Sequence, residues 1–174
     1  YAACRALGVA PATVMAGFRS FPGLPHRQRL LAVIDGVSYV NDSKATNADA
    51  AAKALACYEH IYWIAGGRGK EGGLQGLEPF YPRIAEAFLI GEAEADFART
   101  LQPHVKVRRC GDLATAFEAA SAAARQDNSG KAVVLLAPAC ASFDQFPDFE
   151  ARGAAFGALV EALPGEREGL EGSA

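Results

Sequence analysis

From Leu30 onward the chain alternates short runs of β-branched, leucine and aromatic residues with alanine-rich stretches of helical period, and no other feature restricts the fold as much. The runs "LLAVIDGVSYVND", "HIYWIAGG", "AFLIG", "VKVRRCG" and "AVVLLAP" read as strands. Helices are predicted between them over residues 48–57, 92–101 and 113–125, with a shorter helical stretch near 77–84 and a last helix over 148–163. Strands separated by helices of ten or so residues are joined by right-handed crossovers, which gives a mostly parallel sheet covered on both faces. Asp35-Gly36 interrupts the first run with the strongest short hairpin signal, so the first two strands pair antiparallel. The expected fold is α/β: a Rossmann-like three-layer domain with about six strands, one of them an antiparallel member from the N-terminal hairpin. In the last helix Phe149, Phe156, Val160 and Leu163 recur at helical spacing as one apolar stripe, with Pro147 in the first turn.

The two ends read differently from this middle. Residues 1–18 suggest two short helices around an "APATV" turn. Pro22, Gly23 and Pro25 then make a stiff connector, and a domain boundary is expected within 21–29. After Leu163 the stretch "PGEREGLEGSA" has little to bury, so residues 164–174 are expected to be a disordered tail. With Tyr1 first and Met15 the only methionine, the chain is expected to be a piece of something longer.

Composition narrows the function classes. The apolar fraction is 51%, yet the longest apolar runs fall well short of the ~20 residues that span a bilayer. Net charge is -3 and the seventeen basic residues are scattered, which argues against a sequence-independent grip on nucleic acid and leaves small anions as candidate ligands. Cys4, Cys57, Cys110 and Cys140 lie far apart, as do His26, His60 and His104, so neither a zinc spacing nor a disulfide framework is present. A reducing cytosol suits such cysteines, and no metal site is expected.

Three polar turns follow strands, at the strand ends where ligands collect in parallel sheets: "NDSKATN", "GGRGKEGG" and "PACASFDQF". The first packs two amides, a carboxylate, two hydroxyls and an ammonium into seven residues. A strand-to-helix turn needs one capping side chain, so most of this polarity reads as surplus to folding and suggests a ligand. Plainer roles compete: Thr46 with Asp49 approximates a capping box, and Asp42 with Lys44 could form a surface pair of little energy. The second turn is not a P-loop, because Ile64 stands five residues before Gly69 and Glu71 follows Lys70. Its glycines could simply serve positive φ; Lys70, a flexible point charge beside a strand end, adds a reach toward anions. In the third turn Cys140 and Ser142 lack the flanking glycines and the downstream histidine of a nucleophile elbow. Cys140 reads as a small buried thiol, and Ser142 could bond its own backbone.

Taken in order, "FPGLPHR", "NDSKATN", "GGRGK", "PACASFDQF" and "FEARGAAF" resemble the C-terminal domain of the Mur ligase family, in its D-glutamate-adding form, over roughly residues 21–163. The resemblance implies that residues 1–20 are the end of a central ATP-binding domain, 21–29 the interdomain linker and hinge, and 30–163 the domain that carries the incoming amino acid. It implies a cytoplasmic ATP-dependent ligase of peptidoglycan synthesis, with ATP and Mg2+ held mostly by the central domain and UDP-N-acetylmuramoyl-L-alanine as the acceptor. Thr46, Lys70, Ser142 and the backbone at Phe143 and Phe149 would hold the two carboxylates of D-glutamate. Arg27 and Lys44 would approach the phosphates of ATP and Asp42 its ribose, with His26 adjacent. No residue of this part is expected to be catalytic in itself. Phe143 stands where some relatives carry leucine, and Arg68 fills a variable slot. A non-catalytic Rossmann-like nucleotide- or partner-binding module is the competing interpretation of the same layout.

Overall fold

A computed structural model describes residues 1–21 and 23–169 of the 174-residue chain. Two short helices come first, α1 (Ala2–Ala6) and α2 (Pro11–Ser20), the second opening on a proline at its first position. Strands β1 (Arg29–Ile34) and β2 (Val37–Asn41) follow as an antiparallel hairpin. Asp35 and Gly36 have φ of 51° and 76°, the two left-handed positions that a tight two-residue hairpin turn requires, and Ile34 faces Val37 across it.

The remaining elements alternate as the pattern predicts. They are α3 (Ala48–Leu55), β3 (Ile61–Gly66), a 3-10 turn (Glu78–Arg83), β4 (Ile84–Ile90), α4 (Glu94–Leu101), β5 (Val107–Gly111), α5 (Leu113–Ala124), β6 (Val133–Leu136) and α6 (Phe149–Ala162). One six-stranded sheet results, in the order β1-β2-β6-β3-β4-β5, parallel throughout except for the hairpin. Its central strands are apolar on both sides because both sides are covered. Ile61, Trp63, Ala87, Leu89, Val133 and Leu135 meet Ala51 and Leu55 of α3 and Phe97 and Leu101 of α4. On the opposite face Ile64, Phe88, Ile90, Val134 and Leu136 meet Leu113 and Phe117 of α5 and Phe156 and Val160 of α6. The three-layer α/β architecture is therefore the one the sequence predicts.

Two details of the C-terminal region differ from expectation. Asp148 is the N-cap of α6, accepting from the Ala151 N–H at 2.6 Å, which leaves Pro147 one residue outside the helix. Only Phe156, Val160 and the half-buried Leu163 of the expected stripe join the core, while Phe149 points toward His26 and Lys44. Phe146 supplies the missing aromatic contact with that layer.

Residues 164–168 of the expected tail are held against the domain. Arg167 pairs antiparallel with Ile34, Asp35 N–H donates to Glu166 O at 2.9 Å, and Glu168 N–H donates to Val33 O at 3.0 Å. The Arg167 guanidinium meanwhile donates to the carbonyls of Val160 and Glu161 at the end of α6. An edge strand and a helix C-terminus both present unpaired backbone groups, so a polar segment with nothing to bury still has a place to go. Residues 170–174 of that expectation lie outside the described residues. Among the described residues no helix is long and apolar enough to cross a membrane.

Candidate functional site

Strand β6 lies between β2 and β3, so the turns that follow these three strands are neighbours at the carboxyl rim of the sheet. Backbone bonds fasten them together. Asp42 N–H donates to Leu136 O and Gly66 N–H to Pro138 O, each at 2.8 Å, while Arg68 and Ala141 exchange a pair of bonds at 2.9 and 3.1 Å. Gly67 is required by the approach of the third turn and Gly66 by that of β4, as well as by their φ of 126° and 121°. A Cβ on either would stand 2.0 Å from Ile90 O or 2.3 Å from Ala141 O.

The first turn is far less surplus than its composition suggests. Asn41 is buried; its Nδ2 donates to Gly153 O at 2.9 Å and lies 3.2 Å from His26 Nδ1, and its Oδ1 accepts from Ser43 N–H. Ser43 Oγ donates to Phe149 O and accepts from Arg152 Nε. Asn47, not Thr46, is the N-cap of α3, accepting from Ala50 N–H at 2.8 Å. The capping-box role for Thr46 is thereby excluded, and among the described residues its half-buried hydroxyl makes no hydrogen bond. Nor do Asp42 and Lys44 pair with each other: Lys44 Nζ sits 3.8 Å from the Phe149 ring centroid, and Asp42 accepts from Gln28 N–H at 3.2 Å.

Asp42 is 6% exposed, and burial pushes its carboxyl above the usual value against the smaller opposing effects of the Gln28 N–H and the Arg27 charge. A carboxylate with one protein donor keeps lone pairs free for a ligand's hydroxyls. Its stability effect has a definite sign. A raised folded-state pKa means that the folded protein holds the proton more readily than the unfolded chain, so this favourable contribution is present at acid pH and is lost as pH rises through the folded value. Asp42→Asn, which retains an oxygen for Gln28, is expected to melt at a higher temperature than the parent at neutral pH. The difference should close as pH falls toward the unfolded value of about 3.9. Equal melting temperatures at neutral pH would mean that burial costs this carboxyl nothing.

Around the second and third turns, Lys70 is exposed at the rim and Ser142 is 2% exposed, its hydroxyl making no hydrogen bond among the described residues. Ser142 O accepts from Gln145 N–H and Phe146 N–H, so its backbone builds the turn while its side chain does not. Phe143 is an exposed ring, and Phe149, as first residue of α6, has an N–H among those without an intrahelical acceptor. Cys140 is fully buried and its thiol is raised to about 12, chiefly by burial, which fits an inert core thiol. Arg27 is exposed beside Asp42. The structure thus brings the three turns together, while the cavities that Lys70 borders are not shared by Thr46 or Ser142. An open cavity of about 330 Å³ is bounded by Lys70, Glu71, Gly72 and Gln75 and by Asn47 and Asp49 at the start of α3, with Thr46 and Ser142 outside it.

Several residues of this region have contacts that the sequence does not assign. Arg152 is 1% exposed, and its Nη2 bridges Ser43 O and Cys140 O at 2.9 and 3.1 Å, tying the first turn to the third. Asp144 accepts from Glu92 N–H and Gln145 donates to Gly111 O, clipping the third turn to the loop after β4 and to the end of β5. Arg68 forms a forked ion pair with Glu92 at 3.1 and 3.2 Å. Arg152 had a faint signal, an arginine at the helical spacing of the apolar stripe. The others had none, since each acts through a loop far away in sequence. Among the described residues no group of three or more histidine, cysteine, aspartate or glutamate side chains could hold a metal ion.

Comparison with known proteins adds a family to this geometry. The family model for the Mur ligase, glutamate ligase domain, matches residues 26–140. The chain is 55% identical over 163 residues to the UDP-N-acetylmuramoylalanine--D-glutamate ligase of Rhodospirillum rubrum, covering 94% of this chain and 34% of that protein. Proteins of the same name from a Chelativorans strain and from Paramagnetospirillum magneticum are 53% and 52% identical over 94% of the chain, which covers 35% and 36% of their lengths. The chain therefore spans about a third of the length of the curated relatives it matches.

Proposed function

Because the chain belongs to the Mur ligases, as their glutamate ligase domain, we propose that it is the amino-acid-carrying part of a ligase that adds D-glutamate to UDP-N-acetylmuramoyl-L-alanine in peptidoglycan synthesis. The observation that carries this reading is the insertion of β6 between β2 and β3, which sets three donor-rich turns side by side at one rim. A dicarboxylate calls for that chemistry: an ammonium from Lys70, hydroxyls from Thr46 and Ser142, and free N–H groups at Phe143 and at the positive end of α6 near Phe149. Lys70, exposed on a four-carbon stem, turns on binding from the cavity beside α3 toward the rim formed by Thr46 and Ser142.

ATP, bound with Mg2+ mainly by the rest of the ligase, supplies the phosphoryl group that activates the acceptor's carboxylate. This chain's contribution is positional. Holding both carboxylates of D-glutamate aims its amine at the activated carbon, and such alignment is worth roughly 7–11 kcal/mol in well-oriented cases. Exposed Arg27 and half-buried Lys44, once lifted from the Phe149 ring, would hold the nucleotide's phosphates, and the spare lone pairs of Asp42 would accept from its ribose. Closure of the domain over the nucleotide excludes the water that would otherwise hydrolyse the activated carboxylate. None of these groups makes or breaks a bond.

Titration of the chain, and then of the parent ligase, with D-glutamate tests the reading by amide chemical shifts. The expected result is a cluster of shifts at Thr46, Lys70, Ser142 and Phe149, with L-glutamate giving weaker ones. Shifts confined elsewhere, or absent from the parent ligase at millimolar D-glutamate, would leave a non-catalytic binding module as the better account.

A further inference from the structure

We infer that His26 is a positioning residue, seated against Gly153 of α6 so that the connector is rigid from Leu24 onward and Arg27 travels as part of this domain's surface. The inference rests on the proposed swing of the domain over a nucleotide and removes residues 24–28 from the segment in which that swing takes place.

Gly153 carries the argument. It lies in the interior of α6, where glycine is less favourable than alanine, and its φ is not positive, so the helix has no use for it. A Cβ there would stand 2.2 Å from His26 Nδ1 and 2.8 Å from His26 Cγ. The missing methyl is the space that the imidazole occupies. By contrast Gly157, one turn later, would place its Cβ no closer than 3.9 Å to any atom beyond its own helix and neighbours.

Independent contacts hold His26 and Gln28. His26 O accepts from Lys44 N–H at 3.1 Å, Asn41 Nδ2 approaches His26 Nδ1 at 3.2 Å, and Gln28 N–H donates to Asp42 Oδ1 at 3.2 Å. The Phe149 ring meets the imidazole edge-on with centroids 6.3 Å apart. His26 and Gln28 have φ of 59° and 42°, conformations that non-glycine residues keep only where surrounding contacts over-determine them. Upstream, Arg27 N–H closes a turn onto Leu24 O, and Phe21 N–H is bonded back to Gly17 O of α2. Between these two anchored ends Gly23 has a φ of 79° and open space where a Cβ would be. Arg27, exposed between two fixed neighbours, is therefore displayed by the domain and not by a loose tether.

Nitrogen-15 relaxation on this chain reads the seat without reference to any nucleotide. Order parameters at Arg27 and Gln28 are expected to match those of the strands, about 0.85, with Gly23 below about 0.6. Gly153→Ala is expected to lower Arg27 and Gln28 to the level of Gly23 while the order parameters of α6 and the strands hold, because alanine favours the helix it enters. In a His26→Ala background the same substitution is expected to change nothing further, a non-additivity that a merely structural glycine would not show. Arg27 and Gln28 as mobile as Gly23 in the unsubstituted chain, or unmoved by Gly153→Ala, would overturn the inference. In the parent ligase Gly153→Ala is expected to raise KM for ATP roughly three- to tenfold with kcat largely kept. Normal ATP kinetics beside lost order would remove Arg27 from the nucleotide and sustain the seat, which separates failure of the proposed function from failure of the inference.

Discussion

Lys70→Ala in the parent ligase is expected to lower kcat/KM for D-glutamate roughly 10- to 150-fold, the loss of one charged hydrogen bond of about 1.5–3 kcal/mol. The side chain is exposed and makes no ion pair among the described residues, so its removal leaves no buried group unsatisfied and the melting temperature should hold. That combination, intact fold with lost efficiency, is what a ligand-facing lysine predicts. Because Lys70 lines a cavity that also contains Asp49 and Glu71, a surface role would show instead as no kinetic change. A loss smaller than about threefold would take Lys70 out of the site.

Arg152→Ala should act in the opposite way, on the fold first. The guanidinium is 1% exposed, makes three hydrogen bonds to Ser43 and Cys140, and leaves Nη1 without a partner. Burial draws its pKa down to about 10, the mark of a charge held where the protein solvates it poorly. Truncation strands buried acceptors on two turns, and at about 1–3 kcal/mol for each group left unsatisfied the expected loss is roughly 3–5 kcal/mol. For a chain of this size that corresponds to a fall of roughly 6–20 °C in melting temperature. Arg152→Lys keeps the charge but lacks the planar fork that spans Ser43 and Cys140, so it should recover only part of the stability. Urea unfolding with an unchanged slope would assign the loss to stability itself. If alanine cost less than about 1 kcal/mol, the first and third turns would be held by their backbone bonds alone.

These two residues show what kind of information a linear reading reaches. Lys70 was visible because a lysine among glycines after a strand is locally unusual. Arg152 left only a faint trace, its place in the helical spacing, because its meaning depends on Ser43, 109 residues away. The polar crowd of the first turn shows the same limit: Asn41 and Ser43 turn inward to His26, Gly153, Phe149 and Arg152, and exposed Asn47 caps α3 through Ala50, leaving Thr46 and Lys44 for a partner outside the turn. Composition counts hydrogen-bonding groups, and only packing says which are already satisfied. Residues 164–168 were misjudged for a related reason, since their bonds to β1 and α6 are made by backbone and one arginine and leave no apolar signature.

By itself the sequence determined the element types, the Asp35-Gly36 hairpin, a sheet buried on both faces and the likeness to a family, because hydrophobic period and turn chemistry act within about ten residues. The tertiary structure decided that β6 slots between β2 and β3, with Val40 beside Leu135 and Ile64 beside Leu136. Strand order is a contest among pairings separated by tens of residues, all of similar apolar composition, and no local pattern ranks them. The place where three turns meet is set by that ranking.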